Sequence, residues 1–151
     1  AAAAVGKATW AFANEFARYY ASSNAERMLV QQAGQGKLSY SVIEPAITRA
    51  SAAFVTTLIS DTLGAGLDAL FEKSETINTK VGKYILNQIT KIFTTHWING
   101  LIMAVAQARA DYLQGKAKSV SAALPGHLVA HFSNLFTNEV KGAATWLAKA
   151  G

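Results

Sequence analysis

The run SETINTKVGKYILNQITKIFTTHWINGLIMAVAQARADYLQG, residues 74–115, is the longest uninterrupted helical signal in the chain and contains no proline. With successive residues about 100° apart, Val81, Ile85, Ile89, Ile92 and His96 fall within one arc of roughly 80°. Lys73, Lys80, Asn87, Lys91 and Thr94 fall on the opposite side, which predicts an amphipathic central helix with a basic stripe. Beyond His96 the pattern changes. Trp97, Ile98, Leu101, Ile102, Met103 and Val105 point in every direction, as in a helix buried in a core or against another chain. Ser74 is the expected N-cap, and Gly115 is where the helix should weaken.

The flanking sequence is helical too. Residues 4–22 place Phe12, Phe16, Tyr19 and Tyr20 on one side and Lys7, Asn14 and Arg18 on the other. Ser22-Ser23-Asn24 offers a break, and Ser23 with Glu26 has the spacing of a capping box. The break matters geometrically: in a continuous helix Arg27 would point away from Lys7 and Arg18, whereas a turn can bring all three to one partner. Residues 33–37, Ala-Gly-Gln-Gly-Lys, read as a flexible turn. Ser41 and Glu44 repeat the capping-box spacing, Pro45 suits a first helical turn, and Phe54, Val55, Leu58 and Ile59 continue that helix. Gly64 and Gly66 are places for it to end or bend. Leu124-Pro125-Gly126 reads as a boundary before a last helix carrying Leu128, Phe132, Leu135 and Trp146 on one side. There is no strand signal and no internal repeat. The expected fold is all-α: a helical bundle of about four helices with an N-terminal helix–turn–helix arm, divided into an arm (1–37) and a bundle domain (38–151).

At 151 residues the chain is long enough for one domain with a real core. Half of it is hydrophobic (51%) and only 15% is charged, so little charge repulsion opposes self-association. The absence of cysteine excludes disulfides, thiolate metal sites and cysteine nucleophiles. The chain begins Ala1-Ala2-Ala3-Ala4 without methionine, which reads as a processed form, and no signal peptide pattern is present. The most apolar run, Trp97 to Ala106, is too short to span a bilayer and is followed at once by Gln107, Arg109 and Asp111.

Net charge is +5, and it is unevenly placed. Residues 73–118 hold seven of the 14 basic residues against Glu75 and Asp111, which accounts for the whole excess. Residues 1–37 are also net basic, with Lys7, Arg18, Arg27 and Lys37 against Glu15 and Glu26.

Catalytic patterns are missing. Acids are few and scattered, and neither a Gly-rich phosphate loop nor a serine nucleophile elbow is present, so no enzyme activity is expected. His127 and His131, at i and i+4, have the spacing to share a metal, but Glu139 lies farther along the same helix and there is no HExxH motif. Packing or surface roles are the reading for both, and His96 within the apolar arc reads as a core histidine; neither a metal nor a haem cofactor is expected. The positive charge carries the functional reading. Lys80 and Lys91 on the central stripe suit a phosphate backbone, each as a salt-sensitive contact. The N-terminal segment is the stronger candidate, because Lys7, Asn14, Arg18, Arg27, Gln31, Gln32 and Lys37 are interleaved with aromatics. Such a set binds phosphates without reading bases. The same residues would equally suit a first helix packed on the bundle.

With its aromatic and basic N-terminal helix pair (Lys7 to Gln32), its Gly-rich turn at Gly34 to Gly36 and its compact cysteine-free helical remainder, the chain resembles the major coat proteins of filamentous archaeal viruses. The resemblance is one of organisation and covers most of the chain. It implies a virion protein with no small-molecule substrate. Its N-terminal helices would wrap double-stranded DNA held in A-form, and its bundle would form the outside of a filament. The implied partners are DNA, copies of the same chain or a paralogous coat protein, and a viral envelope. The chain departs from the pattern in having its largest charge excess in the central helix, which leaves open which helices face DNA. The rival reading is a membrane-active or lipid-binding helical protein, which low charge, a basic amphipathic helix and Trp10, Tyr19, Tyr20 and Trp97 would also suit. A helical carrier is a third class.

Overall fold

The computed structural model describes residues 2–62, 83–84, 87–88, 91 and 97–150, and among these the chain is helical with no strand. Five helices carry the described fold: α1 (Ala2–Tyr19), α2 (Ser23–Gly34), α3 (Tyr40–Thr62), α4 (Ile98–Leu113) and α5 (Val120–Ala150). Residues 83–84, 87–88 and 91 are helical as well. The expected helix over 74–115 is therefore described in full only in its last part. That part is interrupted: Trp97 is a non-helical N-cap with φ −105° and ψ 6°, and α4 begins at Ile98. The Trp97 ring explains the break, since it is buried and lies 5.7 Å from the ring of Phe132 and 5.5 Å from that of Phe136.

Three helices meet in the core through residues four apart. On α1 these are Ala4, Ala8, Phe12 and Phe16, followed by Tyr20 just past its end; on α3 they are Val42, Ala46, Ala50, Phe54 and Leu58. On α5 the buried series runs Val120, Leu124, Leu128, Phe132, Phe136, Val140. A four-residue step advances about 400°, so such a ridge drifts roughly 40° at each residue. That drift lets α5 serve two neighbours, α4 through its first half and α1 with α3 through Phe136. Alanines at the α1–α3 contact keep those backbones close.

Register is set by pairs that run in opposite directions. Lys7 meets Asp61 and the Tyr20 hydroxyl donates to the Val42 carbonyl at 2.6 Å, so α1 and α3 are antiparallel. Trp97 with Phe136, and Asp111 with His127, make α4 and α5 antiparallel. Residues 1–37, expected as an arm, have their described part packed into the same core as the bundle. Phe12 and Phe16 of α1 and Leu29 of α2 are all fully buried. The apolar segment after His96 is only partly enclosed: Leu101, Ala104 and Val105 are buried, but Met103 is exposed. Gly100 allows the close approach there, because a Cβ at this position would lie 3.3 Å from the Phe132 ring.

Helix ends follow local chemistry more than the expected boundaries. The turn at 34–36 is a C-cap: Gly36 has φ +75°, its N–H donates to the Ala33 carbonyl, and the Lys37 N–H donates to that of Gln32. Gly115, at φ +76°, repeats the motif, with Gly115 N–H to Tyr112 and Lys116 N–H to Asp111. The expected boundary at Leu124-Pro125-Gly126 is not one, because α5 starts at Val120 and runs through Pro125. The proline removes a single hydrogen bond near the start, and the burial of Val120 and Leu124 on either turn holds the helix. Ser119 caps this helix by accepting the Ala122 N–H at 3.0 Å. Pro45 likewise sits inside α3, and the expected Ser41–Glu44 box is displaced, since the helix already begins at Tyr40. Gly64 and Gly66 lie outside the described residues.

Replacing Gly36 or Gly115 by Ala should each lower stability by about 1–2 kcal/mol, the cost of the left-handed conformation alone, as no atom lies within 4 Å of either added Cβ. Urea midpoints with unchanged slopes would report it, and Asn should cost less than Ala. Ser51 Oγ is buried without a hydrogen-bond partner among the described residues. Ser51→Ala should therefore hold or raise the midpoint, whereas a loss above about 1 kcal/mol would show that the hydroxyl is bonded.

Candidate nucleic-acid interface

The outward face of α1 is the first part of the candidate site. Lys7, Asn14 and Arg18 are exposed opposite the buried Phe12, Phe16 and Tyr20, as the periodicity predicts, and the half-exposed Trp10 lies in the same row. From Lys7 to Arg18 the row is about 16 Å long. Both cations have acid neighbours: Lys7 Nζ is 3.4 Å from Asp61, and Arg18 is 3.3 Å from Glu15 one turn earlier. Exposed pairs of this kind contribute at most about 1 kcal/mol, so a phosphate can compete for either cation. The face of α3 next to this row carries Arg49, whose guanidinium stands 5.3 Å from the centre of the Tyr19 ring.

The second part is α2 and the turn after it, where Arg27, Gln31 and Lys37 are exposed. Arg27 donates to Asn24 Oδ1 at 3.0 Å. Gln32 has a structural task, its Oε1 accepting from both the N–H (2.8 Å) and the hydroxyl (3.0 Å) of Ser39 at the start of α3. Lys7, Arg18 and Arg27 are not gathered into one pocket. Lys7 is near the α1 end farthest from α2, while Arg27 lines a groove between α2 and α4 with Arg109, Tyr112 and Leu113. Arg109 has the signal that could have found it, three and four residues before Tyr112 and Leu113 on one helix face, but nothing local ties it to Arg27. Lys91 is exposed on a helical residue, and Lys80 lies outside the described residues.

Two other expectations are redirected. Glu26 does not close a capping box within α2; its Oε2 accepts the Ser121 N–H at 3.2 Å and so caps the start of α5, 95 residues away. A carboxylate at a helix N-terminus is favoured both by the free N–H groups and by the helix dipole. His127 and His131 each face α4: His127 Nε2 is 2.7 Å from Asp111 Oδ2, and His131 Nε2 is 2.9 Å from Gln107 Oε1. Among the described residues no three His, Cys, Asp or Glu side chains are placed to hold a metal ion. His96 lies outside them.

Among the described residues two ionisable groups are shifted. Burial, and secondarily the Tyr19 phenol beside it, pushes the Tyr20 hydroxyl well above the usual phenol range, consistent with its short bond to Val42. Partial burial raises the Glu139 carboxyl. A raised carboxyl means that the folded chain holds this proton more tightly than the unfolded one. Its contribution to stability is therefore greatest at acid pH and falls as pH rises through the folded value. Glu139→Gln should flatten that decline in melting temperature above pH 4.5; a parallel decline in both proteins would place its cause elsewhere. No family model, no curated protein and no solved structure matches this chain.

Proposed function

We propose that this chain is a structural coat protein that self-assembles into a helical filament and wraps double-stranded DNA through phosphate contacts that do not read bases. The observation that carries the reading is the division of α1 and α2. Their inward sides are aromatic and aliphatic, and their outward sides, with the turn after α2, carry the cations and amides Lys7, Asn14, Arg18, Arg27, Gln31 and Lys37 beside the exposed Trp10 and Met28. Such side chains follow a uniform phosphate backbone and have no geometry for one base over another. In this reading residues 1–37 are the DNA-facing helix–turn–helix arm and 38–151 the bundle, packed together in the subunit.

Assembly needs apolar contact between copies. Met28, Tyr40, Met103 and Leu113 are exposed apolar or aromatic side chains on three different helices, and low total charge leaves little repulsion to overcome. Neighbours would be copies of the chain or a paralogous coat protein, and the chain's place would be the virion, with an envelope as a further contact surface. The membrane-active reading is less well supported. Among the described residues only Tyr40–Asp61 is long and apolar enough to cross a membrane, and its apolar side is the one buried against α1.

The test is duplex-DNA binding by the full chain across a salt series, with electron microscopy of nuclease-treated material. Filaments holding protected DNA are expected. Arg18→Ala with Arg27→Ala should weaken binding and reduce the salt slope by about 0.9 for each phosphate that is no longer neutralised. An unchanged slope removes the arm from the mechanism, and nucleic-acid-free particles would overturn the reading altogether.

A further inference from the structure

The groove between α2 and α4 is a more concentrated cationic feature than the row on α1. Its cavity, of about 270 Å³, is lined by Glu26, Arg27, Val30, Arg109, Tyr112 and Val120 among others. Val120 places the turn between α4 and α5 at the same mouth, and the Glu26 bond to the Ser121 N–H fixes that turn against α2. Lys116 and Lys118 in this turn are both exposed. Arg27 and Arg109, far apart in sequence, thus line one groove, and Lys116 and Lys118 stand in the turn that leads to its Val120 wall.

The acids nearby are already engaged. Glu26 caps α5, and Asp111 lies 2.7 Å from His127 Nε2. Among the described residues, Arg109, Lys116 and Lys118 have no ion-pair partner, and Arg27 has only the neutral Asn24 carbonyl oxygen. On α1, by contrast, Lys7 and Arg18 each have a carboxylate within 3.4 Å. Cations without carboxylates need no internal pair broken before they meet an anion.

We propose that Arg109, Lys116 and Lys118, together with Arg27, form the principal phosphate-binding surface of the chain, with the duplex backbone crossing the mouth of the α2–α4 groove and the half-exposed Tyr112 ring against its sugars. The proposal rests on the coat reading and relocates its strongest contacts from α1 to the α2–α4 end. A nucleic acid backbone fits better than an anionic membrane. The cations come from α2, α4 and the turn before α5, and a nucleic acid offers them a continuous series of phosphates to neutralise.

The experiment compares full-length wild type, R109A/K116A/K118A and K7A/R18A for binding to a short DNA duplex over a salt series, with binding to phosphatidylglycerol and phosphatidylcholine vesicles alongside. All replaced side chains are exposed, so helical circular dichroism and melting should match wild type; the single R109E variant serves if the triple one does not fold. The triple variant should lose at least tenfold in affinity and about 2–3 from the salt slope, more than K7A/R18A does. R109E alone should weaken binding more than R18A. If the triple variant keeps the wild-type slope while K7A/R18A lowers it, this surface is wrong and the coat reading stands. If wild type shows no salt-dependent duplex binding, both fail. Loss of phosphatidylglycerol binding with duplex binding intact would make the patch a membrane contact and overturn the proposal.

Discussion

Phe136 holds the described structure at one point. Its ring lies 4.9 Å from that of Phe12 on α1, 4.8 Å from Phe54 on α3 and 5.5 Å from Trp97 at the start of α4, centroid to centroid. Edge and tilted arrangements of this kind add about 0.5–1.5 kcal/mol per pair to the burial of each ring. Three helices and the N-cap of a fourth therefore converge on one side chain. The non-helical conformation of Trp97, the glycine at position 100 and the long unbroken α5 all serve to bring these rings together.

The functional surfaces are consequences of that packing. Because α1 gives its aromatic side to Phe136 and α3, its lysine and arginine are turned outward as a row. Because α5 reaches α4 through its first turns, its N-terminus comes up against α2, where Glu26 caps it. That cap does more than satisfy a free N–H. It holds the Glu26 carboxylate on the start of α5 rather than on Arg27 or Arg109, while Asp111 is directed to His127, so neither arginine is tied up in an ion pair.

Much of this was legible in the amino-acid order where the relevant physics is local. The helical class, the buried face of α1, its exposed Lys7, Asn14 and Arg18, and the glycine stops at 36 and 115 all follow from spacing along one helix or from one backbone conformation. Pro125 misleads as a boundary because its local cost, a missing hydrogen bond and a crowded carbonyl one turn earlier, is offset by the burial of Val120 and Leu124. Trp97 stands outside the helix that the periodicity predicts through it, with its ring buried against Phe132 and Phe136. The capping box of Ser23 and Glu26 has the right spacing, yet the carboxylate found a better donor elsewhere.

By itself the sequence determined that the chain is helical and which face of α1 is apolar, since both depend on residues within a few turns of one another, and that positive charge exceeds negative, which is a matter of composition. Only the tertiary structure decided that Arg27 shares a groove with Arg109, that Glu26 caps a helix 95 residues away, and that His127 and His131 are taken up by α4. Those pairings depend on which helices lie side by side. That was settled by the drift of four-residue ridges around α5 and by the rings meeting at Phe136, and no spacing along the chain encodes it.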